Sequence, residues 1–118
     1  MDTRARTPEE VHALLEDAFN RADADAFVAV FEPGATMLTP PHGHVAHGHA
    51  EIRRAIEPVL ARRPRATIQV LATVPGDGLA MTHARWRLDE LAGRGTIVSR
   101  RQPDGSWLIV LDNPLSPG

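Results

Sequence analysis

Two groups of side chains in this sequence are suited to acid/base chemistry. The first is the segment H-G-H-V-A-H-G-H at residues 42–49, which contains four of the six histidines. Imidazole changes its charge near neutral pH and is a common metal ligand, so this segment could supply proton-transfer groups or metal ligands. The second is Asp112, which follows the apolar run W-L-I-V-L at residues 107–111. A carboxyl group buried in an apolar pocket has a raised pKa, which suits it to general acid/base catalysis.

Asp112 is the first candidate catalytic residue, and its role depends on which way the last strand faces. Strict alternation along a β-strand would place Asp112 on one face with Leu108 and Val110, so Val110 is a candidate substrate contact. Two structural roles remain open. Asp112 could cap the end of the strand by accepting backbone N–H groups, or it could pair with an arginine. Arg100 could point inward and form that pair, which would make the site an anion clamp.

The histidine segment offers the other candidate catalytic residues, His42 and His49. His42 follows a predicted strand, and His49 stands at the entry of a predicted helix, so both could face a pocket. They could instead form hydrogen bonds to substrate at a pocket rim, or be plain loop residues. Two His-x-His pairs could also bind a metal, but no carboxylate completes a ligand set with them. We therefore predict no metal and no other cofactor.

Composition excludes several classes of protein. With 118 residues, a formal charge of −2 and arginines spread along the chain, the sequence has no basic field for nucleic acid or an anionic membrane. The absence of cysteine excludes disulfides and thiolate chemistry. No apolar run approaches the roughly 18 residues of a membrane span, and the first ten residues lack the apolar core of a signal peptide. We expect one cytoplasmic domain over residues 1–118, with residues 1–6 disordered.

The first part of the sequence predicts an amphipathic helix. Thr7 can cap it, Pro8 suits its first position, and Glu10 can complete a capping box. Apolar residues follow at helical spacing, and His12, which lies off their stripe, is expected to be solvated. The stripe consists of Val11, Leu14, Leu15, Ala18, Phe19 and Ala22.

Two shorter helical patterns follow. Residues 23–25 offer an aspartate cap for a second helix, which the Pro-Gly pair at residues 33–34 would stop. Phe27, Val30 and Phe31 lie on one apolar side of this helix, so Phe31 is a candidate pocket residue. A third helix is expected to open near Gly48, and Pro58 should kink it or end it early.

The remaining segments predict β-strands. A short strand at residues 35–39 ends before two prolines, and a loop or a tight hairpin around residues 45–46 follows it. From residue 66 apolar and polar residues alternate, which predicts long strands separated by turns, one of them at residues 92–95. These strands span residues 66–74, 79–90, 96–101 and 106–112. Trp86 lies on the more apolar face of the second long strand, and we expect it to form a pocket wall.

Helices first and antiparallel strands second indicate an α+β fold. Strands of this length with two apolar faces would form a strongly curved sheet, with one face covering the helices. The other face would then be free to meet a second subunit. We therefore expect a homodimer through the outer face of the sheet.

Three segments resemble the nuclear transport factor 2-like superfamily, and within it the SnoaL-like and ketosteroid-isomerase-like branch. Residues 18–37 resemble the family's aspartate-capped short helix and first strand, residues 47–56 its helix entry, and residues 104–114 its closing hairpin. The resemblance implies a cone-shaped α+β fold, in which a curved antiparallel sheet wraps around the N-terminal helices and encloses a pocket. Relatives include isomerases, polyketide cyclases, dehydratases, epoxide hydrolases and proteins that only bind, so the resemblance implies no single function.

The same resemblance argues against ketosteroid isomerisation. Ketosteroid isomerases carry an aspartate base before a proline, where this chain has Thr39, and a threonine hydroxyl is a poor base at neutral pH. The chain also contains no tyrosine, the usual oxyanion donor of those enzymes. Thr39 is therefore expected to contact substrate only. Polyketide cyclases of the SnoaL type resemble the chain better, because their acid/base aspartate lies near the end of the sheet, as Asp112 does.

We predict a pocket protein of the SnoaL-like type: an isomerase, cyclase or lyase that does acid/base chemistry on a small apolar molecule bearing a carbonyl group. Asp112 would abstract or return a proton. His42, His49 or Trp86 would position the substrate or stabilise a developing oxyanion. The alternative is a non-catalytic dimeric protein that binds a small apolar ligand.

Overall fold

The structure, a computed structural model, describes residues 4–39 and 43–115, which form three helices and one six-stranded sheet. The helices are α1 (Pro8–Arg21), α2 (Ala24–Ala29) and α3 (Gly48–Ala61). The strands are β1 (Phe31–Thr39), β2 (His44–His47), β3 (Ala66–Pro75), β4 (Leu79–Leu88), β5 (Leu91–Arg101) and β6 (Trp107–Asn113). In the sheet they follow the order β2-β1-β6-β5-β4-β3. The predicted α+β fold with a curved sheet is confirmed, although the pair β1–β6 is parallel where only antiparallel pairs were expected.

A hydrophobic core fills the space between the helices and the inner face of the sheet. Its buried members come from all three helices and from the central strands, and they include Val11, Leu15, Phe27, Ile52, Ile56 and Ile109. Phe27 is also the middle ring of an aromatic chain with Phe19 and Phe31, with 5.3 Å between successive ring centroids. Within residues 4–39 and 43–115, no helix has the length and apolar character needed to cross a bilayer.

Helix α1 begins where the sequence predicts. The Thr7 hydroxyl accepts a hydrogen bond from the backbone N–H of Glu10 at 3.2 Å. Glu10 in turn accepts from the backbone N–H of Arg6 at 2.6 Å, one residue earlier than in a standard capping box. These bonds satisfy donors that the first helical turn leaves without partners, and so they fix the start of the helix.

Side chains of α1 cover the exposed edge of the sheet at β3. The Glu16 carboxylate accepts from the backbone N–H of Ile68 at 2.6 Å. Asn20 bonds both backbone groups of Ala66, accepting from the N–H at 2.7 Å and donating to the C=O at 3.0 Å. An edge strand offers unpaired backbone groups, and here the helix satisfies them in place of a further strand. The bonds also fix the position of α1 over the inner face of the sheet.

Residues just before α1 are more ordered than the sequence predicts. Ala5 is buried, and its carbonyl accepts a hydrogen bond from the backbone N–H of Trp107 at 2.9 Å. This bridge ties the chain before α1 to the beginning of β6. The expectation of disorder is therefore wrong for residues 4–6.

Strand boundaries in the middle of the chain also differ from the prediction. Helix α2 ends at Ala29, so Phe31 opens β1 and does not belong to the second helix. β2 pairs with β1 from Thr36↔His47 to Thr39↔His44, so the hairpin turn precedes β2 and does not lie around residues 45–46. Helix α3 opens at Gly48 as predicted, and it continues through Pro58 to Ala61 instead of ending early.

The predicted turn at residues 92–95 is part of strand β5. The chain reverses earlier, at residues 89–90, where Asp89 has a φ of 53°. Gly93 and Gly95 lie within the strand because neighbouring groups approach too closely for a side chain. A Cβ at Gly93 would lie 2.6 Å from the Trp86 ring, and one at Gly95 would lie 2.9 Å from the Cα atom of Pro114.

We expect Gly95→Ala to destabilise the protein by about 1–3 kcal/mol, the usual cost of overpacking, because the atoms that a methyl group would meet are backbone atoms. The matched control is Gly34→Ala, since a Cβ there meets nothing within 4 Å. Urea unfolding of both variants and the parent chain measures the two free-energy changes. Equal changes for the two variants would contradict this explanation of Gly95.

Candidate functional site

A cavity of about 150 Å³ lies between the helices and the inner face of the sheet. Its walls are mostly apolar and include Phe19, Phe27, Met37, Ile56, Ile68 and Ile97. Four lining residues carry polar groups: His12 from α1, Thr39 from β1, Trp86 from β4, and Asp112 from β6. Among the described residues, these four are the ones whose side chains could take part in polar chemistry in the cavity.

Asp112 reaches the cavity because β6 contains a bulge. The register with β5 pairs Ser99 with Ile109 but Val98 with Leu111, so Val110 is an extra residue in β6. An extra residue reverses the alternation of side chains beyond it. Asp112 therefore shares the inner face with the buried Ile109. The predicted common face with Leu108 and Val110 is wrong.

The carboxyl group of Asp112 is surrounded by apolar residues. Its partners in the neighbouring strands are Ile97 of β5 and Met37 of β1, and both of these also line the cavity. No hydrogen bond or ion pair to the carboxyl occurs among the described residues, so nothing offsets the cost of placing a charge there. Burial alone raises the pKa of Asp112 to about 7. The group can thus both hold and release a proton near neutral pH.

The two structural roles that the sequence left open for Asp112 do not occur in the structure. Its carboxyl caps no backbone group in the described part of the chain. The Arg100 guanidinium lies 2.9 Å from the Glu32 carboxylate and does not line the cavity. The anion clamp is therefore excluded, because Arg100 belongs to the surface.

His12 is a cavity residue that the sequence analysis missed. It was expected to be solvated, but it is only 3% exposed and lines the cavity. Its Nε2 atom lies 2.6 Å from the hydroxyl oxygen of Thr82 on β4. Burial lowers the pKa of His12 to about 4, although the nearby charge of Glu9 opposes this shift, so the imidazole is neutral at neutral pH. Its spacing of three and seven residues from Leu15 and Phe19 is a signal that could have revealed its burial.

Thr39 and Trp86 line the cavity as predicted, but their polar groups are already bonded. The Thr39 hydroxyl donates to the His44 carbonyl at 2.9 Å. The Trp86 indole N–H donates to the Pro114 carbonyl at 2.9 Å. In this arrangement Thr39 and Trp86 form walls and leave the polar chemistry to the other two residues.

Among the described residues, three further predicted site residues do not line the cavity: Phe31, His49 and Val110. Phe31 belongs to the core, and Val110 is the bulge residue of β6. The His49 ring bonds the Phe31 carbonyl, with 2.7 Å between Nε2 and the oxygen, and does not line the cavity. His42 lies outside the described residues. Among residues 4–39 and 43–115, no group of three or more metal-binding side chains could hold an ion.

Asp112 and His12 affect the pH dependence of stability in opposite directions. Between about pH 4 and 6.5 the folded protein keeps Asp112 protonated and His12 neutral, whereas the unfolded chain ionises the aspartate and protonates the histidine. Unfolding therefore releases one proton and takes up one. The contributions of the two groups nearly cancel in the parent protein.

We expect single substitutions to unmask each contribution. In Asp112→Asn the contribution of His12 is no longer offset, so stability should fall by on the order of 2–3 kcal/mol as the pH is lowered from about 6.5 to 4. In His12→Gln the contribution of Asp112 is no longer offset, so a similar amount of stability should be lost as the pH rises from about 4 to 7. Urea unfolding at three pH values measures both slopes. Parallel profiles for the parent and both variants would contradict the shifted pKa values.

Comparison with known proteins identifies the fold and the family. A domain provisionally named as the association domain of a type II calcium/calmodulin-dependent protein kinase, from Thiobacillus denitrificans, superposes with a TM-score of 0.80 at 21% identity, covering 96% of this chain and 98% of that one. An NTF-2 like protein of unknown function from Shewanella oneidensis gives 0.76 at 20%, covering 92% and 95%. A ketosteroid isomerase-like protein from Erwinia carotovora atroseptica gives 0.74 at 18%, covering 92% and 94%.

At these identities the similar structures establish the fold alone. Comparison with curated protein sequences finds no match. The family profile described as the SnoaL-like domain matches residues 11–108, which covers α1 from Val11 onward, α2, α3, strands β1 to β5 and the first two residues of β6. The chain therefore belongs to the SnoaL-like domain family of the nuclear transport factor 2-like superfamily.

Proposed function

We propose that this protein is an acid/base enzyme of the isomerase, cyclase or lyase type, acting on a small apolar molecule that bears a carbonyl group. The observation that carries the proposal is the unpaired carboxyl of Asp112 in an apolar cavity. A general acid or base works best when its pKa lies near the working pH, and burial gives Asp112 such a pKa, about 7. Apolar walls suit an uncharged carbon framework.

The chemical step needs only the carboxyl group and the substrate. The Asp112 carboxylate takes a proton from the carbon next to the carbonyl group, and the electrons of the broken C–H bond move onto the carbonyl oxygen as an enolate. The resulting carboxylic acid then returns the proton to the same carbon or to another one. Atoms and charge balance without a cofactor, and a proton returned to a different carbon gives an isomer.

Ketosteroid isomerisation itself remains disfavoured. Ketosteroid isomerases carry an aspartate where this chain has Thr39. Thr39 lines the cavity, and its hydroxyl donates a hydrogen bond to the His44 carbonyl. A neutral hydroxyl is a poor base at neutral pH, and a backbone carbonyl cannot take up its proton to activate it. The base of the proposed enzyme is therefore Asp112, on a different strand.

We expect the protein to catalyse hydrogen–deuterium exchange at the α-carbons of cyclohexanone in D₂O, followed by loss of the α-proton signal in NMR spectra. Asp112→Asn should lower the exchange rate by about 10²–10⁴-fold, the usual contribution of a general base. The matched control is Asp77→Asn, because Asp77 is exposed in the turn between β3 and β4. Exchange that survives in Asp112→Asn would contradict the proposed base.

The same experiment tests the alternative, a binding protein without catalysis. Ligand-observed NMR measures whether cyclohexanone binds to the parent protein and to both variants. Binding without measurable exchange in the parent protein would favour the alternative. The apolar walls of the cavity suit a binding protein as well, so the exchange rate is the discriminating quantity.

We also propose that the protein forms a homodimer through the outer face of the sheet. Four apolar residues are paired side by side across four strands of this face: Val74, Met81, Val98 and Leu111. Met81 is 44% exposed and Leu111 is 51% exposed. A continuous apolar row on a β-sheet is a common contact surface between subunits, which supports a second copy of this chain as the partner.

Met81→Arg should convert the dimer to a monomer, because a charge in the middle of the row would be buried without a partner. Light scattering coupled to size-exclusion chromatography measures the mass of the particle. The control is Ala29→Arg, since Ala29 is exposed at the end of α2 and lies away from the sheet face. A dimer mass for Met81→Arg, or a monomer mass for the parent protein, would refute the proposed interface.

A further inference from the structure

The His12 imidazole is a second polar group of the cavity, with the Thr82 hydroxyl beside it, and the proposed chemistry at Asp112 does not use it. Thr82 is completely buried, and its hydroxyl oxygen lies 2.6 Å from His12 Nε2 but 3.4 Å from the nearest backbone acceptor, the Ile97 carbonyl. The hydroxyl has one proton to donate. Donated to the Ile97 carbonyl, it leaves the imidazole proton on Nε2, whereas donated to Nε2 it places the imidazole proton on Nδ1. The 2.6 Å separation lies within the usual range for a hydroxyl donor and below that for an N–H donor, which favours the second arrangement.

Nδ1 is then an unused donor beside the cavity. No hydrogen bond to it occurs among the described residues. The Nδ1 atom is also not fully buried. Among the side-chain nitrogen and oxygen atoms of the described residues, Ser99 Oγ is the one that is both fully buried and without a hydrogen-bond partner. Neutral imidazoles with a lowered pKa polarise carbonyl oxygens in other enzymes. His12 therefore has the charge state and the free donor that a ligand oxygen requires.

The register of the sheet sets the separation between His12 and Asp112. Thr82 pairs with Ile97, and Ile97 pairs with Asp112, so the three residues form one row across β4, β5 and β6. Two strand spacings separate the backbone of Thr82 from that of Asp112 by about 10 Å. The side chain of Ile97 lies between them in the cavity floor. A ligand over Ile97 could contact both polar groups at once.

The size of the cavity limits that ligand. Drug-sized ligands occupy pockets of roughly 300–1,000 Å³. A cavity of about 150 Å³, the volume found here, is the size that holds a benzene ring in other proteins. No arginine lines the cavity, and burying an unpaired charge is costly, so an anionic ligand is disfavoured.

We infer that the cavity takes an uncharged carbonyl compound about one ring in size, whose oxygen accepts a hydrogen bond from Nδ1 of His12 while its α-carbon faces Asp112. Thr82 is a positioning residue, because its hydroxyl holds the imidazole in the tautomer that donates from Nδ1. Steroids and fused-ring polyketides are too large to fit wholly inside the cavity. The inference rests on the proposed function for the role of Asp112, but the oxygen site is defined by His12 and Thr82 alone.

The first test uses cyclohexanone and benzene as probes with nitrogen-15-labelled protein. We expect cyclohexanone to shift the Nδ1 resonance of His12, and benzene, which has no oxygen, to leave it nearly unchanged. The shift should persist in Asp112→Asn, because the oxygen site does not involve that carboxyl. No binding of cyclohexanone, or equal effects of the two probes, would overturn the inference.

The second test uses Thr82→Val, which keeps the shape of the side chain but removes the hydroxyl group. The nitrogen-15 spectrum should show His12 losing its preference for the Nδ1–H tautomer, and cyclohexanone exchange should slow by about tenfold, with recovery in Thr82→Ser. His12→Leu should slow the exchange by about 10²-fold, as for the loss of one oxyanion donor. Unchanged exchange in both Thr82→Val and His12→Leu would overturn the inference.

The outcomes separate this inference from the proposed function. Exchange that depends on Asp112 but not on His12 would retain the proposed enzyme and reject the oxygen site. A His12 resonance that responds to cyclohexanone in a protein without any exchange activity would retain the oxygen site and reject the enzyme. Thermal unfolding of each variant establishes that a loss of signal does not come from loss of the fold.

Discussion

The bulge at Val110 is the constraint on which the site depends. A β-strand alternates its side chains between two faces, and a single extra residue exchanges the faces for everything that follows. With a regular β6, Leu111 would face the cavity and Asp112 would face outward. The bulge instead places the carboxyl between Ile97 and Met37 on the inner face, and it turns Leu111 into the apolar row on the outer face. One irregularity thus supplies both the titratable group on the inner face and a member of the apolar row on the outer face.

Burial acts on Asp112 and His12 in a complementary way. It keeps a proton on the carboxyl up to about pH 7 and keeps a proton off the imidazole down to about pH 4. Over that range the cavity contains two polar groups without a net charge. An apolar cavity can tolerate this state far better than a carboxylate and an imidazolium, each of which would need a partner. The position of His12 in turn depends on the bonds from Glu16 and Asn20 that fix α1 against β3.

The SnoaL-like family explains the fold, but the chemistry belongs to particular side chains. The similar structures share about a fifth of their residues with this chain, which is enough to preserve a curved sheet and its helices. This similarity does not determine which polar residues line the cavity. This chain has no tyrosine, and it has Thr39 where ketosteroid isomerases carry an aspartate, so in the proposed enzyme a donor and a base come from other positions. His12 and Asp112 lie on the cavity and fit those two tasks.

The sequence by itself determined the features that depend on local chemistry: the cap of α1, the start of α3 at Gly48, the apolar face of β4 and the α+β order of elements. Asp112 and Trp86 were also found from the sequence, because an apolar run and a two-residue period mark them. Only the tertiary structure decided which residues meet. A bulge is set by pairing with a neighbouring strand, so strict alternation along the sequence placed Asp112 on the face of Leu108 and Val110 instead of the face of Ile109. In the sequence, Gly93 and Gly95 predicted a turn. Their close packing against Trp86 and Pro114 becomes visible only in the folded, curved sheet. His12 lies beside the stripe of α1, and its burial follows from the position of β4 beneath it, which is a contact across 70 residues of chain.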